Sequence, residues 1–171
     1  YKTYSIKPIG KGIFWEEYEK LKKQLLKEGL FEKQYKKIIP KYIKKIVIIT
    51  SLHGVVKDDL VKIINERGRY QEIFLYPVTV QGKSAALEIT KAIYNVNKLF
   101  SADVIIIARG GGSIEDLWPF NNEKLAREIF NSKIPIISAI GHETDFTISD
   151  LVSDIRASTP SHAAKMVTLN Q

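Results

Sequence analysis

Val104-Ile105-Ile106-Ile107-Ala108, running into Arg109-Gly110-Gly111-Gly112-Ser113-Ile114-Glu115-Asp116, is the stretch that decides the fold. Five apolar residues without polar alternation describe a strand covered on both faces, the situation of a central strand in a parallel sheet. Ile136-Ile137-Ser138-Ala139-Ile140 repeats the design and runs into Gly141-His142-Glu143-Thr144-Asp145. Open parallel sheets bind ligands outside the carboxyl ends of their strands. A guanidinium, three glycines, an imidazole and several carboxylates are thus delivered to one edge, where they suit work on a phosphate.

Outward from these two strands the pattern alternates. Lys45–Ser51 and Tyr70–Val80 read as strands, the latter interrupted by Pro77. Val55–Arg67, Ser84–Phe100, Asn122–Asn131 and Phe146–Val152 read as helices, with Ser84 as an N-cap. Strand–helix alternation with short connections predicts an α/β fold, a doubly wound, mostly parallel, four-stranded sheet of Rossmann-like type. The expected strand order is 2-1-3-4, with the switch point between the first and third strands. That order gathers the loops after Ser51, Ala108 and Ile140, which hold His53, Arg109 and His142.

The ends read differently. Residues 1–12 are short and punctuated by glycine and proline. From Phe14 the set Phe14, Tyr18, Leu21 and Leu25 keeps helical spacing, and Gly29 is a natural C-cap. Thr159-Pro160 pairs an N-cap with a first helical residue, so a helix opens there and is cut off at Gln171. The expected organisation is a linker and basic amphipathic helix over 1–44, an α/β body over 45–157, and the start of a truncated helix over 158–171.

A chain of 171 residues with 44% hydrophobic and 26% charged residues suits one globular domain. Absence of cysteine removes disulfides and thiolate metal ligation, and agrees with a reducing cytoplasm. No apolar run approaches the ~20 residues of a membrane span, and no signal peptide is visible. The chain opens at Tyr1, which reads as a fragment or a processed product. Its net charge of +7 is uneven: residues 1–45 hold thirteen lysines against five glutamates, while the remainder is close to neutral. Such an end suits a polyanion partner or, equally, a solvated helix face.

Each candidate group has a structural reading beside the chemical one. Gly110, Gly111, Gly112 and Ser113 suit backbone N–H contact with an anion, or simply a tight strand-to-helix turn. The stretch is neither a Walker A loop nor G-x-G-x-x-G. Ser113-x-x-Asp116 matches a capping box, which makes Glu115 and Asp116 as structural as they are functional. Arg109 follows four aliphatic residues and needs either Asp116 or a substrate phosphate as its counterion. His142-x-x-Asp145 places an imidazole near a carboxylate for proton transfer, or else makes Asp145 the N-cap of the helix at Phe146. Asp59, one turn beyond Gly54, either faces the same crevice or is a surface acid beside Asp58.

These residues carry a resemblance. KKIVIITSLHGVVKDDL (44–60), YPVTVQG (76–82), VIIIARGGGSIEDLWPFN (104–121) and IPIISAIGHETDFTISDLVSDIRASTPSHAA (134–164) are similar to the catalytic domain of the exodeoxyribonuclease VII large-subunit family. FWEEYEKLKKQLLKEGLF (14–31) resembles the segment before it. The resemblance implies a nuclease that degrades single-stranded DNA from either end to short oligonucleotides. It places the family's functional residues on Asp59, Arg109, His142 and Asp145. It further implies an OB-fold before this body, with residues 1–6 as its exit. A long helical region after it would gather small subunits, and a homodimer is compatible. No cofactor is required by the resemblance, although a divalent cation such as magnesium, held by Asp59 and Asp145, is equally writable. A phosphate- or nucleotide-binding module without hydrolytic activity is the alternative from another class. Ser158 stands where the family's motif commonly has proline.

Overall fold

The computed structural model describes residues 9–68, 70–140 and 146–168, and the chain divides into two compact units, residues 1–35 and residues 36–171. In the first unit, helix α1 spans Ile9–Glu28. Gly29, with φ of 89°, ends it. The Leu30 N–H donates to the Leu25 carbonyl and the Gly29 N–H to the Leu26 carbonyl, both at 3.1 Å. This is the paired closure in which a left-handed residue satisfies the last helical carbonyls, and glycine adopts it without a Cβ clash.

The second unit is a five-stranded, all-parallel sheet in the order β2-β1-β3-β4-β5. Its strands are β1 (Lys45–Thr50), β2 (Glu72–Pro77), β3 (Val104–Ala108), β4 (Ile136–Ala139) and β5 (Ile155–Arg156). The order of the first four is the expected one. The expectation of four strands is corrected by β5, which pairs through Ile137–Ile155 and Ser138–Arg156. Two residues carry no hydrophobic period, so nothing in the sequence marked them as a strand.

Helices cover both faces of this sheet. On one face α2 (Val55–Arg67) packs against α7 (Pro160–Thr168). Ile46, Ile48, Val104, Ile106 and Ile137 meet Leu60, Ile64, Ala163, Ala164 and Val167 there. On the other face α3 (Ala85–Leu99) packs against α5 (Glu123–Asn131), which in turn meets α6 (Ile148–Val152). Every residue of β3 and β4 is buried. A fully buried isoleucine contributes ~2 kcal/mol, so these aliphatic runs fix both the strand positions and the register.

Polar anchors close the ends. The buried Asp154 carboxylate accepts from the Lys37 N–H at 2.7 Å and the Ile136 N–H at 2.8 Å, and pairs with Lys37 Nζ at 3.2 Å. Lys36 Nζ donates to the carbonyls of Leu151 and Ser153. Burial pushes the Lys36 ammonium below its ordinary pKa, against the opposing pull of Asp154. Thr159 Oγ1 accepts from the His162 N–H at 3.1 Å, which starts α7 at Pro160 as the sequence indicates. Ser84 precedes α3 without capping it; its hydroxyl donates to Glu88 at 2.9 Å instead.

Candidate active site

The strand order turns around between β1 and β3, and the carboxyl ends of these two strands are tied by Thr50 Oγ1 donating to the Ala108 carbonyl at 2.8 Å. Arg109 is the next residue. Its N–H donates to the Ala139 carbonyl of β4 at 3.1 Å, so its backbone is part of the sheet edge. The side chain is only 6% exposed. Its Nη1 donates to the Gly110 carbonyl at 2.7 Å, and its Nη2 to Gln81 Oε1 at 3.3 Å. Asp116 Oδ2 lies 3.6 Å from Nη2, an ion pair longer than a hydrogen bond. Nε is buried and has no acceptor among the described residues.

Burial depresses the Arg109 pKa and Asp116 opposes that shift. A guanidinium remains charged throughout the physiological range regardless. A buried cation with one half-exposed carboxylate at 3.6 Å and an orphan N–H is incompletely compensated, which is costly unless a further anion completes it. The Arg109 guanidinium is thus left with an unmet hydrogen bond and a loosely held counterion.

Gly110 and Gly112 serve close packing at this edge. None of Gly110, Gly111 and Gly112 has a positive φ; among the described residues only Gly29 and Gly82 do. Instead a Cβ on Gly112 would lie 2.7 Å from Arg109 Nη1 and 2.9 Å from Asp116 Oδ2. A Cβ on Gly110 would lie 3.2 Å from Val56 Cγ2 of α2. Gly110 and Gly112 thus permit close approach, the first to Val56 and the second to the guanidinium. Ser113 then caps the short helix α4 (Ile114–Leu117): its N–H and its hydroxyl both donate to Asp116 Oδ2, at 3.3 and 3.2 Å. Asp116 thus has both roles, closing the capping box and pairing with Arg109.

The remaining candidates fall elsewhere. Asp59 is exposed on α2, one helical turn beyond Val56 and hence on the side of that helix that meets Gly110. Among the described residues no ion pair joins it to Arg109. His142 and Asp145 lie outside the described residues. One expectation about them is settled by their neighbours. The N-cap of α6 is Thr147, whose Oγ1 accepts from the Asp150 N–H at 3.2 Å, while Asp150 closes the box by accepting from the Thr147 N–H at 2.9 Å. The reading of Asp145 as that N-cap is corrected, because the helix starts two residues later than its apolar pattern suggested.

Three residues escaped the sequence reading. Gln81, in the loop between β2 and α3, reaches Arg109; an uncharged side chain on a different loop gave no signal. Asp150 is buried and accepts from Ser138 Oγ at 2.8 Å and from the backbone and hydroxyl of Thr147. Arg156, level with Ser138 on β5, lies 3.8 Å from Asp150 and stacks its guanidinium 3.9 Å from the centre of the Phe146 ring. Asp150 therefore binds together β4, α6 and β5 at both ends of the His142–Asp145 segment. Asp150→Ala is expected to cost about 3 kcal/mol, since it strands a buried hydroxyl and N–H beside a buried cation. That corresponds to a fall in Tm of about 10 °C in a thermal melt; an unchanged Tm would remove the carboxylate's structural role.

An open, all-parallel α/β sheet whose strand order reverses between β1 and β3 belongs to the doubly wound class, in which ligands bind outside the carboxyl ends of the strands. The family model described as exonuclease VII, large subunit, matches residues 30–171. A relative from Clostridium tetani, named exodeoxyribonuclease 7 large subunit, is 54% identical over 92% of this chain and 40% of its own length. A relative of the same name from Yersinia enterocolitica is 47% identical over 98% of this chain and 36% of its own. Another from Thermoanaerobacter pseudethanolicus is 53% identical over 95% of this chain and 41% of its own. The chain belongs to the exonuclease VII large-subunit family. It spans about two fifths of the length of these relatives.

Proposed function

We propose that this chain is the hydrolytic body of an exonuclease VII large subunit, cleaving phosphodiester bonds of single-stranded DNA from its ends to short oligonucleotides. The observation that carries the reading is the buried Arg109 guanidinium at the switch point, with an orphan Nε and a loosely held counterion. A scissile phosphate supplies the missing anion. Arg109 and the backbone of Gly110, Gly111, Gly112 and Ser113 hold its non-bridging oxygens and stabilise the charge that builds on them. To do so the fork releases Gly110 and Gln81, which remain satisfied by water at the loop surface.

Hydrolysis forms a bond from a water oxygen to phosphorus, breaks the bond from phosphorus to the leaving sugar oxygen, and moves two protons. Asp59 positions the water and accepts its proton. His142, oriented by Asp145, gives the leaving oxygen its proton. Among the described residues no three His, Asp or Glu side chains converge to hold a metal ion, and no step here runs through one. The reading further includes assembly with small subunits through a helical region outside this chain, a homodimer of the large subunit, and a cytoplasmic setting. Of these, assembly with other subunits is supported by the words "large subunit" in the relatives' names. No described helix is long and apolar enough to cross a membrane.

The test is cleavage of end-labelled single- and double-stranded DNA by the full-length protein, with and without chelator. Short products from single strands support the reading. Binding without cleavage supports instead the phosphate-binding module. Loss of cleavage in chelator assigns a divalent cation such as magnesium to Asp59 and Asp145; retained cleavage leaves the work to the side chains above.

A further inference from the structure

The chemistry assigned to the carboxyl edge uses Arg109 and leaves a second arginine there unexplained. Arg156 ends β5 at the level of Ser138, next to the strand that leads into His142. Its side chain is 14% exposed and lies between the buried Asp150 carboxylate and the ring of Phe146. The guanidinium backs that ring at 3.9 Å, yet Phe146 as a residue is 46% exposed. An aromatic side chain backed by a buried ion pair, on a residue partly exposed to water at the start of the segment leading into α6, is a prepared stacking surface.

We infer that Phe146, backed by Arg156, stacks an unpaired nucleobase next to the scissile phosphate. Every base offers a π-face, so such a contact tolerates any sequence, and the base must be out of a duplex to make it. Arg156 contributes in two ways. It fixes the ring's orientation through Asp150, and its charge beneath the ring attracts the base-bearing strand. Selectivity for single strands then resides in this side chain as well as in any strand-capturing domain. Arg109 reads the phosphate that every nucleic acid has; Phe146 reads whether the adjoining base is free.

This inference rests on the nuclease reading, and its test separates the two. Single-stranded oligonucleotides and strands of the same length with abasic sites at successive positions are compared, using the full-length protein and its Phe146→Ala and Phe146→Trp variants. The readouts are kcat/KM and, independently of turnover, the binding ratio of base-bearing to abasic strands by fluorescence anisotropy. Phe146→Ala is expected to lower the base-bearing to abasic ratio about tenfold in both readouts, and Phe146→Trp to restore it. A ratio unchanged by Phe146→Ala, including one where both substrates weaken equally, overturns the stacking role and leaves only packing. Wild-type protein that cleaves neither substrate overturns the nuclease reading, while the binding ratio still decides on stacking.

Discussion

Arg109→Lys is expected to lower single-strand cleavage about a thousandfold, the scale set by losing a guanidinium that stabilises phosphoryl charge. Lysine keeps the charge and loses the planar fork. An ammonium is a compact point charge and cannot grip two phosphate oxygens in one plane. The loss should appear in kcat and kcat/KM alike, because the interaction strengthens as charge gathers in the transition state. The fold should persist. Arg109 contacts Gly110, Gln81 and Asp116, all at the loop surface, whereas the core beneath is isoleucine from β1, β3 and β4. Steady-state kinetics with a melting curve of the same preparation check this. A variant that melts normally and cleaves at the wild-type rate would remove Arg109 from the chemistry.

His142→Ala is expected to lower cleavage by about a hundredfold to ten-thousandfold, the range for loss of a positioned proton donor. The residue follows β4, the strand beside Arg109, by three residues beyond Ala139. Because the histidine must carry the proton it gives away, the wild-type rate should fall as pH rises and the imidazole loses that proton. The variant should lose that limb along with the rate. Asp145→Asn should act in the same direction with a smaller effect, since it misorients the imidazole without removing it. A pH profile of kcat/KM for the three proteins settles the assignment; unchanged turnover in His142→Ala refutes it.

How much of this was legible in the sequence depended on the kind of signal. The aliphatic runs of β1, β3 and β4 announce buried parallel strands because every residue faces a helix, and strand order follows from the alternation. β5 was silent, since Ile155 and Arg156 make no run and are set beside β4 by Asp154, whose N–H donates to the Ile136 carbonyl and whose carboxylate accepts from the Ile136 N–H. The switch-point cluster was legible where charge and glycine coincide, at Arg109–Asp116. The purpose of the glycines was not. The sequence offered an anion contact or a tight strand-to-helix turn, whereas a Cβ on Gly112 would meet the guanidinium of Arg109 and the carboxylate of Asp116. Gln81 and Asp150 were hidden for one reason: each acts across the fold on a partner far away in the chain, and local patterns carry no such information.

The structure of the full-length protein bound to a non-hydrolysable single strand bears most directly on the site. A phosphoryl oxygen should lie within ~2.9 Å of the Arg109 guanidinium nitrogens, with Gly112 against the same phosphate and His142 facing the leaving oxygen. A strand bound elsewhere, with Arg109 still closed on Gly110 and Gln81, would contradict the assignment of this edge as the place where the backbone is cut.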